Sequence, residues 1–141
     1  MPVTIQPSQI QNLQQMQVGV AGPEDANQLF IIDGQFDSNL GVSASGPGLM
    51  TAKEAFSVLV GPALSRKQFV KANATASIAK THCSGGMANW SITNVDADWD
   101  DESGQVELRI EAQVGVYGPN QGANILGFLF HVTILAAVPA A

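Results

Sequence analysis

Between Trp90 and Leu135 apolar and polar residues alternate with a period of two, run after run, and this constrains the fold more than any other feature. Trp90, Ile92, Val95, Ala97 and Trp99 make one apolar face, with a slip at Thr93-Asn94. A polar turn, Asp101-Glu102-Ser103-Gly104, leads to a second run. There Val106, Leu108, Ile110, Ala112, Val114 and Val116 alternate with Glu107, Arg109, Glu111 and Gln113. After a Gly/Pro/Asn turn, Ile125 to Leu135 is apolar on both faces. Successive side chains of a strand point to opposite sides of a sheet, so the first two runs predict strands with one buried and one wet face. The third predicts a central strand with both faces covered, by core on one side and a partner on the other.

A length of 141 residues suits a single domain, 1–141, with room for a real core. Charged residues are only 13% of the chain and apolar ones 45%, which excludes intrinsic disorder. With fourteen glycines and seven prolines to punctuate turns, the expectation is all-β. It is an antiparallel β-sandwich, jelly-roll or immunoglobulin-like, of about seven to eight strands.

Other segments read less sharply. Residues 1–16 are Gln-rich and fit either an extended arm or a short helix from about 8 to 16. Val18–Ala21 and Leu29–Ile32 read as short strands around Gly22-Pro23-Glu24-Asp25, with Asp33-Gly34 and Ser43–Gly48 as turn and loop. Thr51-Ala52-Lys53-Glu54 has the form of a capping box and predicts a short helix near 52–60 ending at Gly61-Pro62. Phe56-Ser57-Val58-Leu59-Val60 is equally good strand material. Phe69 to Ala79 reads as a strand whose inner face (Val70, Ala72, Ala74, Ala76, Ile78) is nearly all alanine. An internal echo links Gln17-Val-Gly-Val-Ala-Gly-Pro to Gln113-Val-Gly-Val-Tyr-Gly-Pro. It reads either as one good hairpin turn used twice or as a pseudo-symmetric pair of hairpins.

Charge narrows the partners. A net charge of −6 argues against nucleic acid, whose phosphates need clustered Lys and Arg. The charges are segregated, with Lys53, Arg66, Lys67, Lys71 and Lys80 in one block. Asp96, Asp98, Asp100, Asp101, Glu102, Glu107 and Glu111 form the other. Such blocks pair either within one fold or between subunits. One cysteine, Cys83, rules out an internal disulfide framework. The opening residues do not form a signal peptide, and 125–141 is short and interrupted for a membrane span. The expectation is a soluble product, cytoplasmic or exported by a signal-less route.

The acidic hairpin 96–111 is the best candidate site. Its turn sets Asp98 opposite Glu107 and Asp96 opposite Arg109, and like charges facing each other on paired strands cost stability. A calcium ion would relieve that, with Asp96, Asp98, Asp100 and Glu107 as its candidate ligands. Their spacing imitates a calcium loop, but Asp101 stands where such a loop needs glycine. Tyr117 or Trp90 would offer an aromatic platform to a sugar. The plainer expectation is a solvated acidic rim guarding an edge.

No other motif carries a reaction. His82 and Cys83, adjacent on a strand, point apart and do not pair as base and nucleophile. His131 sits on a face with Leu129, Thr133 and Leu135, a histidine satisfied within packing or at a subunit contact. No Gly-x-Ser-x-Gly elbow and no phosphate-cradling glycine loop occurs. The sequence leans away from an enzyme, with no catalytic residues to name. It points to a non-catalytic β-sandwich acting by association, as a self-assembling structural subunit or binding module, and to a homo-oligomer with carbohydrate or another protein as further partners. The competing expectation is a calcium-dependent carbohydrate-binding protein or small hydrolase using the acidic hairpin.

Overall fold

The structure, a computed structural model, describes residues 2–20 and 27–138. In chain order come β1 (Val3–Ile5), a 3-10 turn (Pro7–Gln9), β2 (Ile10–Val20), β3 (Asn27–Ala44), β4 (Leu49–Val60) and β5 (Phe69–Cys83). They are followed by β6 (Ala88–Trp99), β7 (Val106–Tyr117) and β8 (Gln121–Ala137). Two four-stranded sheets, β1-β4-β7-β6 and β2-β3-β8-β5, close on one core as a β-sandwich. Neighbouring strands run antiparallel except β1 and β4, which are parallel. The first two strands pair with each other in an immunoglobulin domain; here they go to different sheets.

Alternation dictates the core. Val106, Leu108, Ile110, Ala112, Val114 and Val116 of β7 are all buried, as are Phe128, Phe130, Val132 and Ile134 facing them from β8. Phe36, Phe56 and Phe128 meet at the centre with ring centroids 5.1–5.7 Å apart and tilted planes, the geometry aromatic quadrupoles favour. The slip in β6 is a bulge: Ile92 faces Ala112, Thr93 is skipped, and Asn94 faces Glu111. The extra residue returns Val95, Ala97 and Trp99 to the inner side.

Four expectations need correction. No helix forms near 52–60: β4 pairs with β7 along its whole length, and its period of two sends Phe56, Val58 and Val60 inward. The local capping signal yields to this pairing, because a helix would leave one side of β7 unpaired. Asp33-Gly34 is no turn but lies inside β3. A Cβ on Gly34 would stand 2.6 Å from the ring of Phe130, so glycine is required there by packing. The Gln-rich start is neither arm nor helix but β1, the short 3-10 turn and β2. The echo does not make two hairpins. Its first copy leads from β2 into β3 of the same sheet, while its second carries the chain from β7 in one sheet to β8 in the other. β7 is already flanked by β4 and β6, so β8 has no edge to join there. The stretch Gly22–Asp25 and residues 139–141 lie outside the described residues.

Candidate functional site

The acidic hairpin has the register read from the sequence, with Asp96 opposite Arg109, Asp98 opposite Glu107 and Trp99 opposite Val106. Its carboxylates, however, are occupied singly. Asp98 accepts the backbone N–H of Trp99 at 2.8 Å, and Glu107 turns the other way, to the hydroxyl of Ser57 on β4, at 2.5 Å. The two like charges thus point apart, which relieves their repulsion without an ion. Arg109 pairs with Glu111 at 3.6 Å, leaving Asp96 on the open rim. Asp100 caps the turn, accepting the Ser103 hydroxyl at 2.6 Å and the Ser103 N–H at 3.0 Å. Among the described residues no three His, Cys, Asp or Glu side chains gather to hold a metal ion. Tyr117 does not join these acids. It is exposed at the far end of β7, and ten residues of strand from Glu107 span roughly 33 Å.

The hairpin turn belongs to the architecture. The indole N–H of Trp99 donates to the carbonyls of Leu64 and Gly104, both at 3.0 Å, and the Arg66 guanidinium lies 5.6 Å from its ring centre. Gly104 has a left-handed φ of 75°, and a Cβ there would sit 3.0 Å from the Leu64 carbonyl oxygen. The loop after β4 is thereby fastened to the turn, and Leu64 is inserted into the core.

Hydrogen bonds from Ser103, hydroxyl first and backbone second, hold the Asp100 carboxyl below its ordinary value of 3.8. A carboxyl with a depressed pKa stabilises the fold above 3.8 and loses that contribution as pH falls through its lowered value. Wild type should therefore lose melting temperature on acidification below this point, and Asp100→Asn should start lower at neutral pH and fall less. Thermal melts between pH 2 and 7 check this; parallel curves would contradict it.

A different group of polar side chains lines the outer face of the β2-β3-β8-β5 sheet. His131 Nδ1 lies 2.7 Å from Asp33, and its Nε2 lies 3.0 Å from the Thr133 hydroxyl. This acid–imidazole–hydroxyl chain is invisible in the sequence, since Asp33 and His131 become neighbours only through the β3–β8 register. A threonine two residues from a histidine on one strand is a weak sign of it. The row lies on an open face in mid-sheet, where the backbone N–H groups are committed to the ladders. No free pair of them faces the hydroxyl as an oxyanion site would require. Further along, Lys80 reaches across β8 to Asp37 at 3.2 Å, passing over Gly127, which is in register with both. His82 is exposed, and Cys83 at the end of β5 donates its thiol to the Gly85 carbonyl.

The same face turns apolar toward β2. Residues directly opposite on paired strands share a side of the sheet. Val18, Leu29 and Leu135 therefore make one row, Met16, Ile31 and Thr133 the next, and Val20 extends the patch beside Asn27. Met16 is 61% exposed, Val18 40% and Val20 41%. Within the single chain the second face of β8 is only partly covered: Leu129 is exposed, while His131, Thr133 and Leu135 are half-buried. Among the described residues no helix is long and apolar enough to cross a membrane. Compared with models of protein families, with curated proteins and with solved structures, the chain shows no match.

Proposed function

We propose that this protein is a non-catalytic β-sandwich that acts by association, as a self-assembling structural subunit. The observation that carries this is the apolar patch of Met16, Val18, Val20, Leu29, Ile31 and Leu135, contiguous over three adjacent strands. Scattered apolar side chains on a surface need no explanation, but a contiguous patch rimmed by polar residues marks a contact surface. The rim is present: Asp33, His131 and Thr133 bound the patch along the strands, and Lys71 and Asn73 on β5 bound it across the sheet. The acidic hairpin supports the same reading from the other side, because its carboxylates are used to build a turn and to spread like charges apart.

Sedimentation velocity from about 1 to 100 µM, the range in which micromolar contacts are populated, tests this reading. The expected result is a defined oligomer that persists in 1 M salt, where screening over about 3 Å removes long-range charge attraction and leaves apolar burial intact. Ile31→Lys should abolish it. A strict monomer throughout that range would refute the reading.

A further inference from the structure

We propose that the joining element is the free edge of β2, which takes the β2 of a second copy antiparallel across a two-fold axis and fuses two four-stranded sheets into a continuous one. The inference rests on the association reading and names its contact.

A sheet edge presents unpaired N–H and C=O groups, and proteins protect such edges with charge, bulges or brevity. The sandwich has four outer strands: β1 and β6 in one sheet, β2 and β5 in the other. Three of them are guarded. β1 is three residues long, β5 carries Lys71 and Lys80 and changes register at three points, and β6 carries Asp96, Asp98 and a bulge. β2 runs eleven residues without a single charge or proline. Its one irregularity lies between Gln11 and Gln14, where Asn12 has a φ of 52°. From Gln14 to Val20 the edge is regular.

This edge is also uncovered on both faces: every residue from Gln11 to Val20 is exposed. The cause is a mismatch in length, because the opposing sheet ends in β1, which reaches only from Val3 to Ile5. β2 overhangs it, above a hollow of about 270 Å³ lined by Ile5, Ile10, Leu13 and Leu59 among others.

The chemistry of the strand selects its own copy as the occupant. Each molecule has a net charge of −6, so two copies carry like net charge, and β2 is a long edge where none of that charge resides. Gln14 and Gln15 each carry both a donor and an acceptor, so their amides complement the same amides of an identical strand. Met16, Val18 and Val20 would meet their counterparts on the outer face, doubling the apolar patch across the axis. An isologous contact of this kind closes on itself as a dimer.

The test combines two measurements on the full chain. Amide hydrogen exchange should show that β2 residues facing away from β3, unprotected in dilute protein, become protected on association, since alternate amides of an edge strand have no partner until a neighbouring strand arrives. Gln15 points to the opposite side of the sheet from the patch, so Gln15→Lys leaves the patch intact while placing like charges across the new seam; it should weaken association at least ten-fold with the melting temperature little changed. If the protein associates by sedimentation but β2 exchange is unaltered and Gln15→Lys has no effect, the edge is overturned while the association reading stands. A strict monomer overturns both.

Discussion

Leu108→Asp is expected to leave the chain unfolded, while Arg109→Asp, one residue on, leaves it folded. Leu108 is 0% exposed and in register between Val58 and Ala97 at the centre of its sheet. A carboxylate there would be stripped of water with no partner to compensate, at a cost of several kcal/mol against a total stability of about 5–15 kcal/mol. Arg109 lies on the outer face, and its pairing with Glu111 is exposed and screened, so reversing it should cost about 1 kcal/mol. Far-UV circular dichroism and urea titration of the two variants distinguish the cases. A folded Leu108→Asp would mean that this strand is turned by one residue, which would invert the whole acidic face.

Phe128→Ala should destabilise the protein by about 3–5 kcal/mol, the usual range for removing a fully buried phenylalanine. The ring is 0% exposed, with Phe56 at 5.1 Å and Phe36 at 5.5 Å from opposite sheets. Because strands of both sheets supply this cluster, it cannot collapse around the void without drawing the layers together. The upper half of the range is therefore expected. The urea midpoint should shift with no change in slope; a loss below about 1 kcal/mol would show that the three rings do not form the mechanical centre.

Both substitutions fall where the chain is most legible from its residues alone. The period, turn and bulge of the hairpin from 90 to 116 all follow from where apolar residues stand, since a one-residue error would expose Leu108 and Ile110 together. Where burial is weak, legibility fails. β2 is exposed on both faces, so its Gln/Met/Gln/Val order carries no inside and outside, and the segment resembles an arm or a helix equally well. β4 misleads for another reason: Thr51 to Glu54 is a sound local cap, overruled by pairing with a strand more than fifty residues away. The candidate site is the least legible of all. The carboxylates that cluster in sequence are held separately by Ser57, Ser103 and the Trp99 amide. The apolar patch and the Asp33–His131–Thr133 row exist only once β2, β3 and β8 are in register. The charge-free run from Ile10 to Val20 is the one sign of the edge that the residues carry, and it is an absence, which a search for motifs passes over.

The placement of β7 and β8 has a consequence for how the molecule comes into being. Each is an inner strand of its sheet, flanked on both sides by strands made earlier: β4 and β6 for one, β3 and β5 for the other. While the ribosome is still upstream of Val106, β4 and β6 have no strand to sit between them, and β3 and β5 are in the same position. At roughly 5–20 residues per second this lasts several seconds, during which apolar strands with open edges must wait in a half-built molecule. Synthesis and folding are therefore nearly sequential events here. The sandwich closes only when β7 and β8 are in place, so a chain ending before Val106 is expected not to form a smaller folded protein.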